Sequence, residues 1–245
     1  MIFPRRGIDL KIEEITTTEL QKELARNPVV IIPIGATEAH GPHLPLGTDS
    51  FQPEAVADIL AKRINGLVAP PVKYGHHSST KNMIGTIGIS FDTLRALTRD
   101  ILEALVADGF RRFVILSGHA GHVHLAALKV AVEEVVSKSE VKIMLLTDYD
   151  LAWEVSEEMG IREKDGHGGL IETSRIMAIA PQLVGEERGS GKFCDQEYMI
   201  VANPEVCYPD GFAGPADKAT VELGDKVNDH IVNRLEELIR KNMGD

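Results

Sequence analysis

The chain has 245 residues, 43% of them hydrophobic and 26% charged, with a formal net charge of −11. That length and balance suit a globular protein able to bury a core without disulfide or metal staples. An acidic surface repels phosphate backbones and anionic lipid heads, and no basic cluster stands out beyond the short Arg5-Arg6 and Arg111-Arg112 pairs, so nucleic acid is not an expected partner.

In chain order, residues 16–27 read as a short helix with threonines able to cap it. Residues 29–35 (VVIIPIG) are a continuous apolar run, the pattern of a strand buried on both faces. A polar loop rich in Gly, Pro and His follows over 36–50. A helix is expected over 53–64, with Val56, Ile59, Leu60 and Ile64 on one face, and another strand over 67–72. Ser90 caps an amphipathic helix that runs through Asp108 with Leu94, Leu97, Ile101, Leu102 and Leu105 as its apolar positions, and Gly109 ends it. Residues 113–116 (FVIL) form a buried strand leading into the turn Ser117-Gly118-His119-Ala120-Gly121-His122 and a helix to about Lys138. A further strand is expected over 141–146 and a helix over 171–179. Residues 181–216 read as a long loop with room for a hairpin, and 219–241 as a closing helix. No linker or repeat divides the chain, so one domain over 1–245 is expected. Apolar strands alternating with helices indicate an α/β fold: three layers, α/β/α, around a mostly parallel central sheet.

Cys194 and Cys207 form no C-x-x-C pair and lie near no histidine cluster; the expectation is two reduced thiols in a cytoplasmic protein. The start, Met1-Ile-Phe-Pro-Arg-Arg, has no apolar stretch behind it and does not read as a signal peptide. No apolar run approaches the ~20 residues of a spanning helix, so no membrane partner is expected.

Open parallel sheets place ligand sites just beyond the C-terminal ends of their strands, and two polar, histidine-bearing turns fall there. In the first, Glu38 and His40 are two residues apart; in an extended segment they project to the same side and can converge on one cation. Asp49 returns to the same place after the Gly-Pro loop. Carboxylates and imidazoles are ligands that Zn²⁺, Mn²⁺ and related ions accept. In the second, His119 sits directly beyond a buried strand, while Gly118 and Gly121 allow close backbone approach. His122 is left open, and His124 is expected to be an exposed first-turn residue. A third cluster, Asp165-Gly166-His167-Gly168-Gly169-Leu170-Ile171-Glu172, brackets a helix start. Glu172 buried there needs a partner, and a metal ion or an imidazolium would serve. His76 and His77 are adjacent, so at most one can face the site; for both, a surface or otherwise satisfied histidine is the expectation. Trp153 is expected in the core or a subunit contact.

The string from Gly35 to Asp49 (GATEAHGPHLPLGTD) resembles the signature of the creatininase (creatinine amidohydrolase) family. Gly85-Thr86-Ile87, Gly118-His119-Ala120-Gly121, His167-Gly168-Gly169 with Glu172-Thr173-Ser174, and Gly211 to Gly214 with Ala219-Thr220 follow in that family's order. The resemblance implies an α/β/α fold and C–N bond hydrolysis by metal-activated water. It implies one or two divalent ions per chain, Zn²⁺ foremost, with Mn²⁺ or Fe²⁺ as alternatives. It puts metal ligands at Glu38, His40, Asp49 and His119, with Asp49 as the bridging carboxylate, and active-site roles at His167 and Glu172. Glu172 is then a ligand or the base, and His167 stabilises an oxyanion or protonates the departing nitrogen. A small cyclic amide or formamide is the implied small-molecule substrate, and a homo-oligomer, often a hexamer, the implied assembly. The chain departs from the pattern at Gly121, where creatininase carries a metal-binding Glu. It departs again at Ser117 and His122, where Asn is usual, and at Thr80, Met83 and Ile84, where a His and a Phe-Pro pair are usual. A rival reading is a metal- or metabolite-binding protein on the same fold without hydrolase activity. A nucleotide-binding reading is weak, because neither G-x-G-x-x-G nor G-x-x-x-x-G-K-[ST] occurs.

Overall fold

The computed structural model describes residues 11–160, 165–192 and 199–244. The Arg5-Arg6 pair and Cys194 lie outside them. Strands β1 (Val29–Ile34), β2 (Leu67–Val68), β3 (Arg112–Ser117) and β4 (Lys142–Thr147) form one sheet in the order β2-β1-β3-β4. Every neighbouring pair is parallel, and Ile34, Ser117 and Thr147 end level at the C-terminal edge.

Among the described residues, seven α-helices cover the sheet: α1 (Thr17–Leu24), α2 (Thr48–Ile64), α3 (Phe91–Asp108), α4 (His122–Val136), α5 (Asp148–Glu158), α6 (Leu170–Ile179) and α7 (Val221–Met243). Because side chains alternate along a strand, Val29 and Ile31 of β1 and Val114 and Leu116 of β3 face one way. They pack with Val56, Leu60, Val155, Ile171, Val227 and Ile231 from α2, α5, α6 and α7. Val30, Ile32, Ile34, Phe113 and Ile115 face the other way, against Leu94, Leu102, Ala127 and Leu128 from α3 and α4. Helices on both faces explain why the strand sequences are apolar throughout. Each fully buried Ile, Leu or Phe contributes about 1.5–3 kcal/mol. The expected three-layer α/β/α architecture is what forms.

Several elements differ from the sequence reading. β2 is only two residues long, because Pro70 and Pro71 supply no N–H to continue the ladder; pairing reappears only as a single bridge between Ile34 and Val72. α2 starts at Thr48 and contains Pro53 in its second turn. Ile59 is 42% exposed, so it lies off the buried face that Val56 and Leu60 occupy. α5 was not expected. Thr147 caps it, accepting from the Asp150 N–H while the Asp150 carboxylate accepts from the Thr147 N–H. The 181–216 stretch holds a two-residue antiparallel ladder between β5 (Ser190–Gly191) and β6 (Gly214–Pro215). Cys207 is disulfide-bonded, which corrects the expected reduced thiol; that expectation rested on compartment and on the lack of a C-x-x-C pair, neither of which reports the distance between thiols. Among the described residues, no helix is long and apolar enough to cross a membrane.

Candidate metal centre

The C-terminal edge of the sheet carries the expected cluster. The loop after β1 supplies Glu38 and His40, the first turn of α2 supplies Asp49, the turn after β3 supplies His119, and the first turn of α6 supplies Glu172. All five are buried, none more than 8% exposed. His40 Nε2 lies 3.0 Å from Asp49 Oδ1 and 3.6 Å from Glu172 Oε1. His119 Nδ1 lies 3.0 Å from Asp49 Oδ2 and 2.7 Å from Glu38 Oε1. The two oxygens of Asp49 therefore face two different imidazoles, the arrangement a bridging carboxylate requires.

The outer nitrogens of both histidines fix their tautomers. His40 Nδ1 is 3.1 Å from the Glu38 carbonyl and His119 Nε2 is 3.0 Å from the His76 carbonyl. A carbonyl only accepts, so each of those nitrogens carries a proton, and the inner nitrogen is the one that faces the carboxylates, where it donates to them as an imidazolium or, with a cation held between them, would give that cation its lone pair. Two ligands about 2.1 Å from one ion at a tetrahedral angle lie about 3.4 Å apart. The inner separations bracket that value. Glu38 Oε1 is buried with no hydrogen-bond partner among the described residues, although His119 Nδ1 is at contact distance. A shared cation accounts for close approach without hydrogen-bond alignment. The donor set thus fits a divalent ion.

The electrostatics agree. Burial alone would lower the pKa of His40, but Asp49 and Glu172 outweigh it and hold the imidazole well above its usual value. Burial likewise opposes charge on His119, and Glu38 and Asp49 raise it well above the usual range. Burial would raise Glu38, yet the charges of His119 and His167 hold it well below the carboxylate range. Glu172 is raised, first by burial and further by Asp49. Three buried carboxylates thus create a field that selects positive charge between them.

Surrounding groups hold these side chains in place. The Thr80 hydroxyl donates to Glu38 Oε2. Gln52 donates to Glu172 Oε1 at 3.3 Å, and the Gly168 N–H donates to Glu172 Oε2. Asp165 accepts from the Leu170 and Ile171 N–H groups, capping α6. His43 Nε2 sits 3.0 Å from both the Gly168 carbonyl and the Thr173 hydroxyl, tying the β1 loop to α6. His167 is half-buried; its Nε2 is 2.8 Å from the Ala39 carbonyl, and its ring centroid is 4.1 Å from that of His40. Burial, and then His40, lower its pKa.

Two histidine expectations need correction and a third is settled. His77 is buried beside Glu38, not on the surface, while His76 contributes its backbone carbonyl and amide. His124 is fully buried rather than exposed. Its Nδ1 accepts from the His76 N–H at 3.2 Å and its Nε2 lies 3.3 Å from the Ser117 hydroxyl. Burial foremost, with His119 next, pushes its pKa down to about 2, so it is a neutral support behind His119. His122 is exposed on the first turn of α4 and takes no part in the cluster. Trp153 is half-buried on α5, 5.9 Å from the Tyr149 ring and remote in sequence from the centre's loops. Gln52 and Tyr208, whose ring stands edge-on to His167 at 6.3 Å, escaped the sequence reading, and Thr80 entered it only as a departure from the resemblance.

Gly118 is required for space. A Cβ there would lie 2.0 Å from the Asp49 carbonyl oxygen and 2.6 Å from Pro53 Cδ. Pro53 lacks the N–H that would otherwise bond that carbonyl within the helix. Gly118→Ala is expected to push the start of α2 outward, costing about 1–3 kcal/mol of stability and weakening metal retention. Thermal melts and elemental analysis would read both; an alanine variant with unchanged melting and metal content would show that the turn yields freely.

A family model described as creatinine amidohydrolase matches residues 13–239. A mycofactocin precursor peptide peptidase of Mycobacterium ulcerans (strain Agy99) is 34% identical over 172 residues, covering 66% of this chain and 62% of that protein. This chain therefore spans less than two thirds of that relative's length. A creatinine amidohydrolase of Pseudomonas putida is 27% identical over 234 residues, covering 85% of this chain and 82% of that protein. A solved structure named "Creatininase Mn" superposes with a TM-score of 0.88 at 24% identity, covering 96% of this chain and 98% of that one. At that identity the likeness is one of fold.

Proposed function

The chain belongs to the creatininase family, and from that premise we propose that it is a metal-dependent hydrolase that cleaves a C–N bond of a small cyclic amide or formamide. The observation that carries this is Asp49, whose two carboxylate oxygens face His40 and His119 separately at 3.0 Å each. His40, Asp49 and Glu172 would hold one ion, and Glu38, His119 and Asp49 another. Zn²⁺ is the ion first expected, with Mn²⁺ or Fe²⁺ as alternatives. A divalent ion, when bound, supplies Lewis acidity, polarising a carbonyl and bringing the pKa of water from about 15.7 towards about 7.

The chain's own residues divide the remaining work. We read Glu172 as a ligand rather than the base, a reading supported by Gly168, Gln52 and His40, which already engage its two oxygens. With Gly121 in the place of the usual Glu, it completes the carboxylate count on the His40 side. Proton transfer then falls to His167. Its Nε2 proton is committed to Ala39, which leaves Nδ1 as the nitrogen that would accept a proton, and its lowered pKa favours the neutral form beforehand. It would hand that proton to the departing nitrogen. His167→Ala is expected to keep its metal and to lose about 10²–10⁴-fold in turnover; undiminished kcat would remove this role.

The similarity to a peptide peptidase makes an amide of a modified peptide the second reading of the substrate. The Gly121 departure leaves a non-catalytic metal-binding protein as the rival. Elemental analysis of protein purified without added metal, followed by a panel of lactams, formamides and short peptides, separates the three. A homo-oligomer is part of the same proposal, and light scattering would read it.

A further inference from the structure

Glu38 stands between two imidazoles. His119 Nδ1 lies 2.7 Å from its Oε1, and His77 Nδ1 lies 3.3 Å from its Oε2. His77 is 5% exposed, yet neither of its ring nitrogens has a hydrogen-bond partner among the described residues. Buried polar groups are normally satisfied, and one that is not calls for an explanation such as an ion. The Nδ1–Oε2 separation is not aligned for a hydrogen bond but is close to the ~3.4 Å expected of two ligands sharing one tetrahedral ion.

The position of the ring is built. Gly75 and Gly88 pair as a bridge, and the Ile89 N–H donates to the Gly75 carbonyl at 2.9 Å. His76 is held at both ends, its N–H on His124 and its carbonyl on His119. Adjacent residues of an extended segment point oppositely, so fixing His76 aims His77 at Glu38. Gly88 leaves room for the ring; a Cβ there would come within 3.2 Å of His77 Cδ2. Thr80 takes the outer lone pair of Glu38 Oε2 and orients the carboxylate. Nitrogen and oxygen atoms of Glu38, His77 and His119 all lie within 4.8 Å of one another.

We propose that His77 is a metal ligand, so that Glu38, His119 and His77 hold a cation that shares Asp49 with a second ion on His40 and Glu172. This rests on the metal-dependent reading above and extends it to a side chain outside the resemblance. Two imidazoles and carboxylate oxygens favour Zn²⁺, Fe²⁺ or Co²⁺ over Mg²⁺ or Ca²⁺ at that position.

The test is a Co²⁺ titration of the metal-stripped full chain. Visible absorption reports the ligand set, and equilibrium dialysis with elemental analysis reports the count. Wild type is compared with His77→Ala and His77→Gln, the second keeping a polar side chain of similar size should alanine disturb folding. Circular dichroism in chelator checks that each variant is folded. Wild type is expected to bind two Co²⁺ per chain. Both variants are expected to keep one as in wild type, to bind the other at least about tenfold more weakly, and to lose part of the absorption spectrum. A folded variant with the wild-type isotherm and spectrum overturns the role of His77 while leaving the metal centre standing. A wild type that takes up no Co²⁺ overturns both.

Discussion

Asp49→Ala is expected to empty the centre and to lower turnover by about 10³-fold or more. Lewis-acid assistance is worth several kcal/mol, and each ~1.4 kcal/mol is a factor of ten in rate. No other side chain of the cluster faces both imidazoles. Without it, the nearest carboxylates left are Glu172 at 3.6 Å from His40 and Glu38 at 2.7 Å from His119. Burial, which opposes charge on both histidines, then meets less resistance. The same substitution removes one of three crowded carboxylates but also a partner of both imidazoles, so the folding of the metal-free variant is compared with that of metal-free wild type. The loss is thus separable from unfolding. Elemental analysis and kcat on both chains, with circular dichroism as the control, would read it. Wild-type metal content in the variant would mean that Asp49 does not bridge. Chelation of wild type should lower its melting temperature, because an ion present at 100 times its Kd stabilises by about 2.7 kcal/mol.

The residues of this centre differ in how far the sequence discloses them. Glu38 and His40 are legible because an apolar strand ends just before them and a two-residue spacing in extended chain puts both on one side. His119 is legible for the same reason, two residues past the end of β3. Glu172 shows itself as an acid at a helix start that burial must pair. His77 is another matter. Alternation says that at most one of His76 and His77 faces the site, but the choice is made 48 residues away, where His124 accepts the His76 N–H. His124 was misplaced because periodicity gives the spacing of a helix face and not its phase; the first turn of α4 exposes His122 and buries His124. The fold followed the apolar runs closely, since β1, β3 and β4 are covered on both faces. Local chemistry explains the rest: Pro70 and Pro71 cut β2 short, and Thr147 with Asp150 starts a helix whose polar face hid it. Gln52 gives no local sign at all, since its role is its distance to Glu172.

Behind the centre, Arg175→Met is expected to be the costliest single change outside the ligands, at about 3–5 kcal/mol. Arg175 and Asp148 are both fully buried, with Nη2 2.7 Å from Oδ2. Arg175 also donates from Nε to Asn228 Oδ1 at 2.9 Å, so one guanidinium ties α6 to the start of α5 and to α7. Burial is the largest influence on Asp148 and raises its pKa; Arg175 opposes that and Asp49 adds to it. Methionine fills much of the volume but leaves a carboxyl in the interior with no counter-charge. The folded-state pKa of Asp148, already above 3.8, must then rise further. A raised acid pKa penalises the folded state only where the group is ionised in the unfolded chain. The penalty is therefore absent below the unfolded value and grows as pH rises towards the folded one. The stability deficit of Arg175→Met should accordingly shrink as the solution is taken from pH 7 towards pH 4. Adding Asp148→Asn removes the stranded charge, so the double variant should be more stable than Arg175→Met alone at pH 7. Denaturant titration of the four chains of that cycle, wild type included, at both pH values would measure it. A double variant as unstable as the sum of its singles would mean that shape, and not the buried charge, makes this position costly.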